Sequence, residues 1–514
     1  MTDVAATTGS AASAVGRATG SGIGRLRHRL ANLTLPQLWA FLAVALPALA
    51  ALVASLPTVD LAWQIRAGNE ILATTSIPSV DRWTFTASGA AWVDQQWGAQ
   101  ILLALVHNLF GWAGLAVFRA VVVGAILAAV AIAITRRNPA LGLRTVAWLT
   151  IGAFLVASPA LAVRPQLLGI AAFAASLLIL SDRDDHPRPV WLLVPIAAVW
   201  ANLHGSFILA PLLPLLAWLE DRAQRRPRSS RLLLVAGAVA LATLLNPWMF
   251  GAWSYAFGLA GNAGITARIS EWQPTTLASV EGLVFWLSVG AVVVFLARRG
   301  ARAPWWALIT LGVFAFLGAW SLRGVAWWPL VAGVTVGALV IPGAAEARRA
   351  RPSRLNGLFV GLVVALGLVL LPFWRAWDER LPAPAGLLRF APPELTASLR
   401  GLVVEGDRVW NPQVWGSWFE YAIPDATYAV DSRIEVIPAA VWREAEIVST
   451  AGAGWEEILD RAGTTIIVTE GPTTGSPLFA ALQGNPGWAI ATRNTEGSIW
   501  VRRDRPSGSQ GNPR

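Results

Sequence analysis

The stretch that decides the fold is Pro57–Gln100, PTVDLAWQIRAGNEILATTSIPSVDRWTFTASGAAWVDQQWGAQ. It separates two long apolar runs, 38–56 and 112–134, and is too long for a tight connection between two membrane spans. Within it lie three acids and four tryptophans: Asp60, Asp81, Asp94, Trp63, Trp83, Trp92 and Trp97. Polar and aromatic residues mixed in this way at a membrane edge predict a structured ledge that lies on the bilayer.

The composition is that of a polytopic membrane protein. Of the 514 residues, 55% are hydrophobic and 14% are charged, whereas soluble domains have about 45–50% apolar and about 25% charged residues. No cysteine occurs, which excludes disulfides, thiolate metal sites and a cysteine nucleophile. No lysine occurs either, so all 40 basic residues are arginines, and P-loop and Schiff-base chemistry are excluded.

Eleven apolar runs are predicted to span the membrane, since a span needs about 20 apolar residues. They lie at 38–56, 112–134, 145–161, 166–181, 189–203, 206–219, 232–246, 281–297, 304–320, 325–341 and 356–374. Residues 37–375 form the predicted transmembrane domain, with residues 57–100 as its outer loop. Residues 1–36, rich in Gly, Ala, Ser and Thr, are predicted to be a disordered cytoplasmic tail.

The arginines predict the topology. They concentrate in alternate connections, at 136–144, 183–188, 222–231, 298–302 and 348–354. The other connections hold only Arg66, Arg82, Arg164, Arg268 and Arg323. This bias predicts a cytoplasmic N-terminus and an extracytoplasmic C-terminus. The formal charge of +10 reflects this topology and does not indicate a nucleic-acid partner.

After Trp374 the composition changes, and residues 385–514 hold 15 of the 30 acidic residues. Five runs read as strands, at 408–411, 427–431, 465–469, 488–492 and 498–502, and two runs read as helices, at 455–462 and 477–483. This pattern predicts an extracytoplasmic α/β domain over 385–505, followed by a disordered tail over 506–514.

Asp60 comes directly after the first span. A carboxylate there can act as general base toward an acceptor hydroxyl, or help to hold a divalent cation against a phosphate. The alternative is that Asp60 N-caps a helix over Leu61–Leu72, a position that Asp favours. The residues around Asp81 are typical of a turn, and Asp94 is placed to N-cap the next helix. Each of these two residues therefore also has a structural interpretation.

Four further polar residues fall at the predicted outer ends of spans: Arg164, His204, Glu271 and Arg323. Ionisable groups near membrane depth are costly and are therefore candidates for function. Two arginines can hold a phosphate bidentately, and His204 can donate to it. Each residue alone could be a snorkelling or paired interface residue, but four on one side with Asp60 predict a shared site. With four histidines and no cysteine, zinc is not expected.

Three stretches carry a resemblance to a known family: DLAWQIRAG (60–68), SIPSVDRWTFT (76–86) and WVDQQWG (92–98). They resemble D-x-x-W-H-L-R-x-G, G-x-I-P-x-x-D-x-F-[ST]-x-T and W-x-x-x-E-W-L, motifs of an uncharacterised bacterial branch of the GT-C integral membrane glycosyltransferases. RPQ, NLHG, EWQP, an arginine between two late spans and the D-x-R of Asp431–Arg433 are also similar to that branch. The wider class includes protein O-mannosyltransferases, the aminoarabinose transferase of lipid A and RgtA/B/C/D-like enzymes. The resemblance covers most of residues 55–500.

Two positions depart from the motifs of the branch. Gln64 stands where a His is usual, and Gln96 stands where a Glu is usual. Enzymes of this class often carry a second acid close to the first, and here Asp60 has no acidic neighbour before Glu70. If a second acid is essential, Asp81 or Asp94 must supply it, or the protein is not catalytic.

The resemblance implies a polytopic α-helical protein of the bacterial plasma membrane with an extracytoplasmic α/β domain. It implies a hexosyl- or pentosyltransferase that moves a sugar from a polyprenyl-phosphate donor to an envelope lipid, glycan or protein. Asp60 would be the base, and Arg164, Arg323 and His204 would bind the donor phosphate. The sequence does not decide whether Mg²⁺ or Mn²⁺ is needed, and Asp60 is the residue that would hold such an ion.

Two other functions remain open from the sequence. A transporter or flippase of lipid-linked sugars would need polar residues in the middle of spans and paired interrupted helices, and few mid-span charges occur. A non-catalytic scaffold in envelope assembly is favoured by Gln64 and Gln96, since both replace ionisable residues of the branch.

Overall fold

The structure is a computed structural model that describes residues 32–227, 229–261, 268–299, 302–342, 351–471 and 476–505. The predicted tail over 506–514 and residues 1–31 of the predicted N-terminal tail lie outside the described residues. The first part of the described chain is a frame of helices: α1 (Leu35–Val53), α2 (Thr58–Thr74), α3 (Trp97–Arg137), α4 (Leu143–Ala157), α5 (Pro165–Ser181), α6 (Leu193–Trp200), α7 (Leu212–Ala223), α8 (Ser230–Ala242), α9 (Phe250–Gly261), α10 (Val280–Arg298), α11 (Trp305–Trp320), α12 (Trp328–Leu339) and α13 (Arg354–Val369).

Each of the eleven predicted spans coincides with one of these helices, whereas α9 was not predicted. Five helical segments of the described chain are long and apolar enough to cross a membrane: Leu35–Val53, Trp97–Arg137, Leu143–Ala160, Val280–Arg298 and Leu322–Leu339. The other helices are shorter than the roughly 20 residues of a straight span. The number of crossings and the orientation of the termini therefore stay predictions.

Helix α3 is the central element of the frame and packs against α1, α2 and α5. It is interrupted at Gly111, whose φ of 62° and ψ of −165° belong to a region that essentially only glycine occupies. The interruption divides α3 into a first part ending at Phe110 and a second part beginning at Trp112. The second part corresponds to the predicted span over 112–134.

The C-terminal part is an α/β domain with five further helices: α14 (Pro393–Leu402), α15 (Gln413–Ala422), α16 (Ala439–Ser449), α17 (Trp455–Arg461) and α18 (Pro477–Gly484). The strands of the described chain are β1 (Leu56–Pro57), β2 (Trp377–Asp378), β3 (Ala383–Pro384), β4 (Leu388–Arg389), β5 (Arg408–Trp410), β6 (Thr427–Tyr428), β7 (Ile466–Glu470), β8 (Trp488–Arg493) and β9 (Gly497–Arg502). The main sheet has the order β6-β5-β7-β9-β8. Strand β5 is parallel to β6 and β7, and β9 is antiparallel to β7 and β8. All five predicted strands are present in this sheet. The two predicted helices correspond to α17 and α18, whereas α14, α15 and α16 were not predicted.

The C-terminal domain is joined to the start of α2. Strand β1, at the end of the first apolar run, pairs in parallel with β4. The Thr58 hydroxyl lies within hydrogen-bonding distance of the carbonyls of Arg389 and Phe390, at 2.9 and 2.8 Å. The Ser432 hydroxyl donates to the carbonyl of Val59 over 2.8 Å. These bonds hold the first turn of α2 against the domain.

The predicted ledge is structured, but it lies against protein. Residues 75–96 have no helix, and Thr84 forms a parallel bridge to Tyr428 that extends the main sheet beyond β6. The Tyr428 N–H donates to the Trp83 carbonyl over 3.2 Å, and the Phe85 N–H donates to the Tyr428 carbonyl over 3.0 Å. Trp63, Trp83 and Trp92 are all buried and pack together. These three tryptophans thus pack inside the protein, beside Val436 and Arg433 of the C-terminal domain, and the position of the ledge on the bilayer stays a prediction.

The ledge and the C-terminal domain meet at the guanidinium of Arg433, which is fully buried. Its Nη2 donates to Asp81 over 2.7 Å, and its Nε donates to Asp431 over 2.6 Å. The rings of Trp83 and Trp92 flank the guanidinium, with centroids 4.3 and 4.7 Å from Cζ. One cation thus joins the ledge to the D-x-R motif of the domain.

A buried carboxyl of the same region, that of Glu420, has its neutral form favoured. Glu420 lies near Asp431, Arg433 and Arg66, and Arg66 donates to the Glu420 carbonyl over 2.7 Å. Burial, and next the charge of Asp431, raise the pKa of Glu420 well above its ordinary value. With Asp81, the group holds three acids and two arginines, so protonation of one acid would make it neutral.

We expect Arg433→Met to destabilise the protein strongly, because it leaves the Asp81 and Asp431 carboxylates buried without a cation. Removing one partner of a buried ion pair costs roughly 3–5 kcal/mol. The measurement is thermal unfolding of the purified protein in detergent, with the exposed Arg443→Met as the matched control. Equal melting temperatures for the two variants would contradict the role assigned to Arg433.

We expect Glu420→Gln to remove a pH dependence of stability. Because the folded pKa is raised, folding takes up a proton, and the stability linked to Glu420 falls as the pH rises above the unfolded value of 4.5. The Tm of the variant should match that of the wild type near pH 4 and exceed it near pH 8. The control is Glu446→Gln, an exposed residue of the same domain, and parallel Tm curves for wild type and Glu420→Gln would refute the protonated state.

Candidate functional site

Four of the polar residues predicted at span ends come together beside the start of α2. Asp60 is in the first turn of α2, and Arg164 directly precedes α5. Glu271 lies in the short 3-10 helix Ser270–Trp272, and Arg323 lies in the 3-10 helix Leu322–Ala326. Each residue thus lies in or next to a connection between helices of the frame, and the fold brings together groups that are far apart in sequence.

The four side chains alternate in charge along a chain of contacts. Arg164 Nε lies 3.2 Å from Asp60 Oδ2, and Arg164 Nη1 donates to Glu271 Oε1. Arg323 Nε lies 3.7 Å from Glu271 Oε2, which is an ion pair but longer than a hydrogen bond. The side chains are 27–33% exposed, so the cluster remains open to a ligand.

Asp60 does not cap a helix, which corrects one interpretation of the sequence. Helix α2 begins at Thr58, three residues earlier than predicted, and Pro57 occupies the N-cap position. Asp60 is then the third helical residue, where a carboxylate interacts favourably with the positive end of the helix dipole. Its carboxylate makes an ion pair with Arg164, so it is held by a residue of the candidate site.

The ion pairs favour the charged forms of the Glu271 carboxylate and of the Arg164 guanidinium. The Asp60 carboxylate is the main cause that raises the pKa of Arg164, against the opposing effect of burial and with the help of Glu271. Burial would raise the pKa of Glu271, but the charges of Arg164 and Arg323 outweigh it, and the pKa is lowered. At neutral pH the cluster therefore holds ionised groups.

A cavity of about 250 Å³ opens at this cluster. Its polar lining consists of Arg164, Gln166, Glu271, Glu281 and Arg323, and its apolar lining comes from the chain around 156–162 and 322–326. A cavity with an apolar wall and a few convergent polar groups is the usual form of a small-molecule site. Asp60 contacts this lining through Arg164.

His204 lies next to the cluster but does not line the cavity. Its Nδ1 accepts from the Ser206 N–H over 3.1 Å, which leaves the proton of the neutral ring on Nε2. Burial, and then the charge of Arg323, lower the pKa of His204 to about 3. Gly169 makes room for this arrangement, because a Cβ there would lie 2.7 Å from the Ser206 hydroxyl. His204 is thus neutral with its proton on Nε2, and its predicted donation to the donor phosphate stays a prediction.

The two positions that depart from the branch motifs contact each other. Gln64 Nε2 donates to Gln96 Oε1 over 3.2 Å, and Gln64 Oε1 is buried without a hydrogen-bond partner. Gln64 lies one helical turn after Asp60, so both belong to one face of α2. A neutral amide pair therefore stands beside Asp60 where the branch would have an imidazole and a carboxylate.

Asp94 is buried close to this pair. Gln100 donates to its Oδ1, while its Oδ2 has no partner. Burial raises the pKa of Asp94 to about 7. Asp94 does not cap the following helix, since Gln96 occupies that position.

Two residues near Asp94 were missed by the sequence analysis. Glu435 and Tyr255 lie close enough to each other, to Asp94 and to Arg323 to interact electrostatically. Burial raises the pKa of Glu435. The available signals were weak: Glu435 follows the D-x-R motif by two residues, and Tyr255 is one of three tyrosines in the chain.

Asp81 lies away from the cluster. Its oxygens accept from Arg433, from the backbone N–H groups of Trp83 and Thr84 and from the Thr84 hydroxyl. Asp81 is buried and its hydrogen-bonding capacity is used, so it is a structural residue of the ledge. Its position therefore does not support a role as the second acid of the site.

The carboxylates at the cluster do not form a metal site. Within the described ranges, no group of three or more His, Cys, Asp or Glu side chains is placed to hold a metal ion. Asp60 and Glu271 are separated by Arg164 and paired with it. A divalent cation at Asp60 would have to displace this arginine.

No protein-family model and no curated protein matches the sequence. Among solved structures, the chain is similar to the archaeal oligosaccharyltransferase AglB from Archaeoglobus fulgidus in complex with an inhibitory peptide and a dolichol-phosphate. The identity is 13%, the TM-score is 0.55, and the match covers 84% of this chain and 69% of that chain. The Archaeoglobus fulgidus oligosaccharyltransferase tethered to an acceptor peptide with the NVT sequon is 14% identical, with a TM-score of 0.51 and coverages of 90% and 74%.

A further structure of the Archaeoglobus fulgidus oligosaccharyltransferase, with zinc and sulfate, has a TM-score of 0.44, which is too low to support an argument about metals. At these identities the likeness concerns the fold. It extends over both the helical frame and the C-terminal domain, since 84–90% of the chain is covered. The chain therefore has the fold of the GT-C membrane glycosyltransferases, the class that its sequence motifs resemble.

Proposed function

We propose that this protein is a membrane glycosyltransferase that moves a sugar from a polyprenyl-phosphate donor to a hydroxyl or amine acceptor. The observation that carries the proposal is the position of Asp60. It lies in the first turn after the first apolar helix, paired with Arg164 at the edge of a cavity that two arginines line. Archaeal oligosaccharyltransferases of the same fold are solved with a dolichol-phosphate and with a tethered acceptor peptide.

The two arginines have different parts in this proposal. Arg164 already uses Nε on Asp60 and Nη1 on Glu271, so it mainly positions these carboxylates. Arg323 contacts Glu271 at 3.7 Å through Nε and lies over the Trp272 ring, 5.2 Å from its centroid. Arg323 is the better candidate to bind the donor phosphate, since a guanidinium can bind phosphate through two parallel hydrogen bonds.

The reaction is a single displacement at the anomeric carbon. The acceptor oxygen or nitrogen forms the new bond as the bond between the sugar and the phosphate oxygen breaks, which inverts the configuration. Asp60 takes the acceptor proton, and the electron pair of the broken bond stays on the polyprenyl phosphate beside Arg323. The side-chain amides of Gln64 and Gln96 do not act as acids or bases near neutral pH, so these residues have no acid–base part in this step.

A scaffold in envelope assembly is the second candidate, and one contact favours it. The Gln64–Gln96 hydrogen bond places two amides where the branch motifs have a histidine and a glutamate. Such a pair would be expected in a protein that keeps the fold and has lost the chemistry. The outer face of the membrane, the bacterial plasma membrane and an envelope acceptor are parts of the proposal that rest on the arginine pattern and on the sequence resemblance.

We expect Asp60→Asn to lower turnover by at least roughly a hundredfold, the lower range for loss of a general base, because an amide cannot take the acceptor proton. The Tm should change little, since the Asp60–Arg164 pair is partly exposed and such pairs contribute little. The measurement is sugar transfer by the purified protein from defined polyprenyl-phosphate sugars.

Asp94→Asn and Asp81→Asn are made in parallel. Full turnover by Asp60→Asn with loss only in Asp94→Asn would move the base to Asp94, whose partnerless Oδ2 could accept a proton. No turnover by the wild type with any donor would favour the scaffold.

We expect Arg323→Lys to raise the KM for the donor by roughly tenfold or more, because an ammonium group cannot reproduce bidentate binding of phosphate. The same substitution at Arg82, an exposed residue of the ledge, is the matched control. Donor titrations at saturating acceptor separate KM from kcat. An unchanged donor KM for Arg323→Lys would rule out Arg323 as the phosphate ligand.

A further inference from the structure

Glu271 occupies the place between the two arginines that a phosphate would take. One oxygen accepts from Arg164 Nη1, and the other forms the ion pair with Arg323 Nε. Both arginines and Glu271 line the same cavity of about 250 Å³. A carboxylate that bridges two guanidiniums presents two oxygens that share one negative charge, as do the two non-bridging oxygens of a phosphate that is esterified to both a sugar and a polyprenol.

The arginines do not need Glu271 to keep their positions. Arg164 retains its ion pair with Asp60 through a different nitrogen, Nε. Arg323 retains its contact with the Trp272 ring. The Arg323–Glu271 ion pair is long, at 3.7 Å, and its two side chains are 27% and 33% exposed. Breaking it therefore costs little compared with breaking a buried pair.

The charges do not allow a phosphate to be added while Glu271 stays in place. With Glu271 present, two arginines face the carboxylates of Asp60 and Glu271, and Glu281 also lines the cavity. A phosphate added to this set would meet an excess of negative charge. Replacing the Glu271 carboxylate by the phosphate is an exchange of one anion for another, since Glu271 is ionised at neutral pH.

We propose that Glu271 is an internal competitor for the donor phosphate: it bridges Arg164 and Arg323 in the empty site and is displaced when a polyprenyl phosphate binds. This inference rests on the proposed function, since it concerns the same phosphate. It gives Glu271 a role in substrate affinity.

The test is binding of farnesyl phosphate to the purified protein in detergent, with farnesol as the probe that lacks the phosphate. We expect Glu271→Gln to bind farnesyl phosphate about tenfold more tightly than the wild type, because a competing charge-assisted contact is gone. Farnesol binding should be unchanged. A residue with a merely structural role would lose affinity when substituted, so the direction of the change is diagnostic.

Glu281→Gln is the matched control, because it removes a negative charge from the same cavity, where Glu281 has no described contact with either arginine. If Glu281→Gln tightened binding as much as Glu271→Gln, general electrostatics would explain the effect and the competitor role would be refuted. If the wild type and Glu271→Gln bound farnesyl phosphate equally, or if the variant bound it more weakly, only the competitor role of Glu271 would be refuted. If farnesyl phosphate bound to none of these proteins, the donor site and the proposed function would fall together with it.

Discussion

The buried Arg433 guanidinium is the constraint on which the arrangement of this protein depends. A charge that is fully removed from water is tolerated only when it is paired and hydrogen-bonded, and here its partners come from two distant parts of the chain. Asp81 belongs to the ledge and Asp431 to the C-terminal domain. Satisfying one cation therefore fixes the ledge against the domain. The β1–β4 pairing and the Ser432–Val59 hydrogen bond then fix the start of α2, and with it Asp60.

Much of this could be predicted from the sequence, because local patterns decide the elements. The eleven apolar runs all became helices, and the five alternating runs after residue 385 all became strands of one sheet. What the patterns did not contain is the length of each helix and the partner of each side chain. Tryptophans are typical of membrane interfaces, but Trp83 and Trp92 lie inside the protein, in cation–π contact with Arg433. No local signal connects residues 83 and 433, which are far apart in sequence.

In the candidate site too, the sequence predicted the grouping of residues but not the partner of each side chain. That Asp60, Arg164, Glu271 and Arg323 share one level followed from their positions at the ends of apolar runs. That Glu271 bridges both arginines depends on how α5, α10 and α12 pack, and spacing along the chain does not encode it. The helix start was missed for a long-range reason: Thr58 is held by carbonyls of the C-terminal domain, which lets α2 begin before Asp60. Asp60 is therefore the third helical residue and does not cap the helix.

The protein contains two arginine–carboxylate clusters made of the same chemical groups, and burial decides what each can do. Around Arg433 the groups are fully buried, with hydrogen bonds of 2.6–2.7 Å to its two carboxylates, so exchanging a partner for a ligand would leave an unpaired charge in the interior. Around Arg323 about a third of each side chain is exposed, and the ion pair is stretched to 3.7 Å. Water can solvate these groups while partners are exchanged, which lowers the cost of opening the contact. A site that must release and bind an anion in every cycle needs the second arrangement. The cluster around Arg433 thus stabilises the fold, and the cluster around Arg323 is exposed enough to exchange its partners.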